Sequence, residues 1–396
     1  MNIVIIGGGL TGAHAAEELR NQGHEGSISL ITAEPHLPYE RPPLSKGILL
    51  GTSEPEAATV HDQQWYDDNR VTLRLGTRVN SIDPGARVVR VDEEEISYDK
   101  LLISTGSSPR HLDSFDQSAL EVTYLRTLED SLRLKEKLSG NLLLIGAGWI
   151  GLEVASAARE AGGQVTIVEP APLPLHRVLG DELASMIAEL HRGHGVDLRL
   201  STSVESIEGD EVVLSDGSRI RPDHVVIGIG AIPNDELASQ AGLATDNGIL
   251  VDTTLRSSDP AVFAAGDVAN EDHPTLGRVR VEHWDNAIEQ GKHAARSMLG
   301  SVAPYTRMPY FFTDQYDLGM EYYGFTGTGG HDELIIRGDK DKLLITALWV
   351  KDNQVVAGMH FNDWDAIKPI RHLVDSDFSD IASLRDPEQA LPTREG

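Results

Sequence analysis

There is no cysteine anywhere in the 396 residues. That excludes disulfides, thiolate zinc sites and cysteine-ligated iron–sulfur clusters in this chain. It also excludes any dithiol or sulfenic-acid redox cycle. Basic residues are scarce: 34 Lys and Arg stand against 62 Asp and Glu, a formal net charge of −28. A surface that acidic repels phosphate backbones, so a nucleic-acid partner is not expected. No apolar run reaches the ~18 residues needed to span a bilayer, so no membrane role is expected either. The opening Met1-Asn2-Ile3-Val4-Ile5-Ile6 has no basic leader and is cut off by Gly7, Gly8 and Gly9. It reads as a first strand and not as a signal peptide, and a cytoplasmic protein is expected. What remains is ordinary globular composition, 40% hydrophobic and 24% charged. At ~150 residues per domain the length suggests two or three domains.

One pattern occurs twice. A buried-strand run, Asn2 to Ile6, leads through Gly7, Gly9 and Gly12 into a helical pattern, and a second strand over 28–32 ends just before Glu34. Further on, Asn141 to Ile145 leads through Gly146, Gly148 and Gly151 into another helix, and the strand from Gln164 to Val168 ends at Glu169. Each copy is a G-x-G-x-x-G between strand and helix, followed by an acid 22 residues after Gly12 and 18 after Gly151. A single such hexapeptide is weak in a chain with 38 glycines; two in the same context are strong. The first glycine makes the tight turn, the second lets backbone approach a pyrophosphate, and the third lets helix and strand pack closely. The helix N-terminus then offers N–H groups and partial positive charge to the diphosphate. Glu34 and Glu169 stand where a carboxylate accepts hydrogen bonds from a ribose. Two dinucleotides are therefore expected.

Other candidates are weaker. The glycine-rich stretch from Gly324 to Gly330 lies among β-type residues with no helix after it, and reads as a loop between strands. His191 and His194 share a helical face without a third metal ligand, so no metal is expected. No G-x-S-x-G is present. From Tyr305 onward the aromatic-rich texture suggests a separate α+β module.

These motifs, with Tyr39-Glu-Arg-Pro-Pro-Leu-Ser-Lys46, Ser104-Thr-Gly106, Tyr124-Leu-Arg-Thr-Leu128, Ala264-Ala-Gly-Asp267 and Glu282-His-Trp284, give the chain a resemblance along nearly its whole length. It resembles the FAD-dependent NADH:ferredoxin reductases that serve Rieske dioxygenases and P450 systems, relatives of rubredoxin and putidaredoxin reductases. The Tyr39-to-Lys46 stretch discriminates best, because paired glycine loops alone fit many flavoproteins. The resemblance implies an α/β fold with two Rossmann-like, glutathione-reductase-like dinucleotide domains and a C-terminal α+β domain. The FAD domain would take residues 1–108 and 233–303, the NAD(H) domain 109–232, and the C-terminal domain 304–396.

In that family the first loop holds FAD and the second NADH. FAD would meet Gly7, Gly9, Gly12 and Glu34, with Arg41 on the diphosphate and backbone near Val79 at the adenine. Thr105, Gly106 and Gly266 would line it, Asp267 would bind the ribityl chain, and Trp284 would lie beside the ring. NAD would meet Gly146, Gly148, Ile150, Gly151, Glu153, Glu169, Arg177 and Gly230. Lys46 and Glu153 are the implied catalytic pair, the lysine near the flavin N5 and the glutamate beside the nicotinamide. Glu169, followed by Pro170 and Ala171 with no adjacent arginine, suits a free 2′-hydroxyl and so NADH over NADPH.

Electrons would pass singly to a ferredoxin or rubredoxin. The lack of cysteine favours that route over disulfide or peroxide reduction. Alternatives are reduction of a small acceptor (a quinone, monodehydroascorbate or oxygen) or a redox-sensing role like that of apoptosis-inducing factor. Relatives often carry tryptophan where Tyr310-Phe-Phe-Thr-Asp-Gln315 has Phe312. The stretch 301–396 is itself acidic, so docking would draw on a local basic patch around Arg307.

Overall fold

Uninterrupted Ile, Val and Leu runs suit strands buried on both faces, as in the centre of parallel sheets. In the computed structural model, which describes residues 1–327 and 330–393, such strands organise two sheets. The chain divides into two units, one of residues 1–40, 58–108 and 232–311, the other of 41–57, 109–231 and 312 onward.

The first unit is built on a parallel sheet in the order Val262–Ala264, Lys100–Ile103, Ile3–Ile6, Ile28–Ile31, Val71–Arg74. The central strand is buried along its full length, Ile3 to Ile6. The helix Leu10–Asn21 follows the first glycine loop and packs on the helix Trp284–Met298. Their approach is so close that a Cβ on Gly291 would lie 2.4 Å from the Thr11 carbonyl oxygen, which only glycine avoids.

The second unit repeats the arrangement. Its parallel sheet runs Asp197–Leu200, Gln164–Glu169, Asn141–Ile145, His224–Ile227, Val122–Thr123, with the helix Trp149–Glu160 after the second loop. The same unit holds an antiparallel sheet ordered Tyr310–Gln315, Leu318–Gly324, Gln354–Phe361, Leu344–Lys351, Glu333–Asp339. The helix Ile367–Asp375 lies on it, with Ile370 seated over Gly358. The glycine-rich stretch does fall between two of these strands; its positions 328 and 329 lie outside the described residues.

Residues 41–57 pack in the second unit although they sit within the stretch expected to belong to the first domain. The reason is local. Ser131 Oγ donates to the Leu44 carbonyl at 2.7 Å. Ser131 belongs to the helix Leu128–Lys135, which starts at a Thr127/Asp130 capping box. The antiparallel sheet likewise shares its unit with the second parallel sheet.

Candidate functional site

The two glycine loops do different work at each position. Gly7 has φ +110°, and a Cβ there would sit 2.1 Å from the Ser104 carbonyl oxygen. Gly12 would collide with the Gly7 carbonyl oxygen, also at 2.1 Å. In the second loop Gly146 has φ +100° and faces the Gly228 carbonyl oxygen at 2.5 Å, and Gly151 faces that of Gly146 at 2.3 Å. These four glycines are required by the fold itself.

The middle glycines are not. A Cβ on Gly9 would meet nothing within 4 Å, and one on Gly148 only the Gly228 oxygen at 3.8 Å. Their φ values, −81° and −82°, suit any residue. Each is the N-cap of a helix that has no side-chain cap and no acid in its first turn. A cradle left open just where N–H groups converge fits a diphosphate.

In the first unit, the Glu34 carboxylate accepts from the Tyr39 hydroxyl at 2.5 Å. Thr105 and Asn234 clasp each other: Thr105 Oγ1 donates to the Asn234 carbonyl and Asn234 Nδ2 returns a bond to the Thr105 carbonyl. Gly106 has φ +69° and its carbonyl accepts from the Asn234 N–H. Asp267 accepts from Ser107 Oγ at 2.9 Å, and the Gly266 N–H bonds to the buried Gln290 side chain at 2.8 Å. Trp284 opens its helix and donates from Nε1 to Glu40 at 3.3 Å. Val79 is buried in the core, so only its backbone is available to a ligand.

In the second unit, the Glu169 carboxylate is pinned across its own loop by the Ala147 and Ala171 N–H groups, each at 2.8 Å. Ile150 is exposed beside the cradle. The Leu175 N–H bonds to the Ala147 carbonyl, which brings the helix His176–Gly193, and exposed Arg177, to the loop. Gly230 has φ +100° and open space about its Cα. Arg41 donates to the Arg126 carbonyl at 2.5 Å.

Lys46 and Glu153 come together. The ammonium lies 2.5 Å from Glu153 Oε1, and the glutamate is 5% exposed. A carboxylate so buried needs its lone pairs met. Ser45 Oγ donates to Oε2 at 2.5 Å and Thr313 Oγ1 donates to Oε1 at 2.6 Å. The Lys46 ammonium also stands 5.5 Å from the Phe312 ring centroid, which is only part-buried and not a core residue. Ser45, Thr313, Tyr39, Ser107, Gln290 and Asn234 were not singled out from sequence. Ser45 adjoins Lys46 in the motif, but no spacing rule links Thr313 to Glu153.

Arg307 is already paired and partly exposed. Its guanidinium makes two bonds to Asp285, at 2.6 and 2.7 Å, and this partner raises its pKa further. Among the described residues no cluster of three or more metal-ligating side chains is present.

Glu271, behind the Gly266 turn, is almost fully buried, and burial pushes its carboxyl up to about 8 against the pull of the Gln290 amide and Arg278. Its folded pKa lies above the unfolded value near 4.5, so its stabilising contribution is full below pH ~4.5 and is lost as pH rises through about 8. Glu271→Gln is therefore expected to melt several degrees above the parent chain at pH 9, with the gap closing towards pH 5. Thermal unfolding at both pH values checks this; an equal gap at both would refute it.

Two open glycine cradles, each followed by an acid, together with a lysine paired to a buried glutamate suit a two-dinucleotide oxidoreductase. The chain belongs to the pyridine nucleotide-disulphide oxidoreductase family, whose model matches residues 1–291, and a "Reductase C-terminal" model matches residues 310–393. It is similar to the anthranilate 1,2-dioxygenase system ferredoxin–NAD(+) reductase component of Burkholderia cepacia, 38% identical over 98% of each chain. Rhodocoxin reductase of Rhodococcus erythropolis is 37% identical over 99% of this chain and 92% of its own. Among solved structures, the covalent putidaredoxin reductase–putidaredoxin complex matches with a TM-score of 0.90 and 35% identity, covering 94% of this chain and 93% of that one.

Proposed function

We propose that this chain is an FAD-dependent NADH oxidoreductase that hands electrons to a ferredoxin- or rubredoxin-type iron–sulfur protein feeding an oxygenase. One observation carries the reading: two cradles whose middle glycine the fold does not need, in a chain without cysteine. The unit with Gly7, Gly9 and Gly12 is assigned to FAD, and the loop at Gly146, Gly148 and Gly151 to NADH. Bound FAD supplies what no side chain here can, accepting a hydride and releasing its electrons one at a time.

The chain's residues bind and orient. First-turn N–H groups after Gly9 and Gly148 hold the diphosphates, while Glu34 and Glu169 accept from the ribose hydroxyls. Arg41 adds charge at the FAD diphosphate and Asp267, steadied by Ser107, binds the ribityl hydroxyls. The helix start at Trp284 has no side-chain cap, and Arg307 neutralises its first-turn Asp285, so its N–H groups can face an anionic ring. Lys46 supplies a full cation, and Glu153 fixes where that cation points and orients the nicotinamide. Arg177, Ile150 and Gly230 line the NADH side.

We place the reaction in the cytoplasm, where NADH is held; no helix among the described residues is long and apolar enough to cross a membrane. The partner is assigned by likeness to reductases named for ferredoxin, rhodocoxin and putidaredoxin. NADH-driven cytochrome c reduction tests it, measured with and without added ferredoxins and rubredoxins. Turnover is expected to rise steeply with the iron–sulfur protein. An equal rate with a quinone or oxygen alone would make the chain a small-acceptor reductase, and a long-lived reduced flavin–NAD complex with every carrier would make it a sensor.

A further inference from the structure

Behind the Lys46–Glu153 pair runs a line of polar groups that the proposed reaction does not itself call on. Gln315 is fully buried, with its Nε2 3.3 Å from Thr313 Oγ1 and its Oε1 2.8 Å from Nε2 of His191, which is also fully buried. Nδ1 of His191 lies 3.3 Å from the Tyr316 hydroxyl, and the Tyr316 ring stacks on His194 at 3.6 Å.

Counting protons outward from the carboxylate fixes every one of these bonds. A carboxylate only accepts, so Thr313, at 2.6 Å, spends its one proton on Glu153. Towards Gln315 the threonine oxygen can then only accept, so the amide presents its NH2 there and its carbonyl to His191. That carbonyl only accepts, so His191 carries its proton on Nε2. Nδ1 is left as an acceptor, and the Tyr316 hydroxyl donates to it. The ring must be neutral for this, and burial pushes its pKa down to about 4.

All four bonds therefore point their positive ends towards Glu153. A chain polarised in one direction inside a low-dielectric interior strengthens each member and fixes the orientation of the group at its end. It adds no net charge that would compete with Lys46. A proton relay is not implied, because a glutamine amide does not readily pass a proton on.

We propose that His191 and Gln315 are positioning residues: through Thr313 they hold the Glu153 carboxylate in place and aimed at Lys46, and so set the rate of NADH-driven flavin reduction. This rests on the reading that the Lys46–Glu153 pair acts in that step. His191 is too remote in sequence from both for any motif to suggest it.

The test uses the holoenzyme. ¹⁵N NMR of the imidazoles is expected to show His191 as the Nε2–H tautomer, without titration from pH 8 to 5. An Nδ1–H tautomer, or an ordinary imidazole titration, would overturn the proposal whatever the activity. In stopped-flow mixing with NADH, His191→Leu and Gln315→Leu are expected to lower the limiting flavin-reduction rate about tenfold, as loss of an outer hydrogen-bonding partner does at metal sites. The apparent NADH Kd should stay unchanged, and His191→Gln, which keeps an N–H donor, should restore most of the rate. Full rate in both Leu variants beside a crippled Lys46→Ala would refute this inference alone. Full rate in all three would refute the reading beneath it.

Discussion

Replacing Lys46 by alanine is expected to slow the reduction of bound flavin by NADH by about two to three orders of magnitude per flavin, the cost typical of removing one preorganised electrostatic group from a reacting centre. The geometry gives the reason. The ammonium is held at 2.5 Å by a glutamate that is itself fixed by Ser45 and Thr313, so the cation reaches its position without reorganising during the reaction. Alanine removes the cation and leaves a buried carboxylate with two hydroxyl donors and no counter-charge. That also lowers stability, though by less than the about 3–5 kcal/mol of a fully buried pair, because the lysine is 20% exposed. Rate must therefore be measured per bound flavin, in single-turnover mixing, with flavin content read from the visible spectrum. An unchanged rate at full flavin content would remove Lys46 from the chemistry. Glu153→Gln should show a smaller loss, since the amide still meets Ser45 and Lys46 but no longer balances the charge.

The second large effect concerns the choice of nucleotide. Glu169 is fixed by two backbone N–H groups of the loop it serves, so it cannot swing away from an added phosphate. Two unit charges ~6 Å apart at an effective dielectric of about 20 repel by about 3 kcal/mol, roughly a hundredfold in kcat/KM. NADH is accordingly expected to be preferred over NADPH by about that factor or more. Glu169→Gln should erase most of the preference chiefly by improving NADPH, because the amide oxygen still accepts from one N–H of the loop while the charge is gone. Steady-state kcat/KM for both nucleotides decides it. Equal values in the parent chain would contradict the assignment, and a variant that loses NADH without gaining NADPH would show that Glu169 only supports the loop.

Much of this was legible in sequence where a physical rule acts over short range. The apolar runs ending in glycine gave both parallel sheets, because strand, turn and helix lie within about thirty residues in a βαβ unit. The pairing of Lys46 with Glu153 came from family likeness, and the structure adds what holds it: Ser45 from the adjacent position and Thr313 from a strand 160 residues away. Periodicity carries no information about such long-range partners. Arg307 shows the same limit. It reads as part of a local basic patch in an acidic stretch, and only the fold reveals Asp285 at the start of the helix Trp284–Met298. Residues 41–57 pack with the second unit, a placement that a boundary read along the chain cannot register.

Four strands of the two parallel sheets repeat one order, which puts the two glycine loops at corresponding places in their sheets. If the first loop seats FAD and the second NADH, as proposed, their occupants have contrary dwell times: one stays bound and the other departs at every cycle. The glycines cannot supply that contrast, because they are alike in the two loops. On that assignment the contrast would fall to the surroundings of each acid, where the Tyr39 hydroxyl latches Glu34 and two main-chain N–H groups steady Glu169, so release could be tuned at one loop without loosening the other.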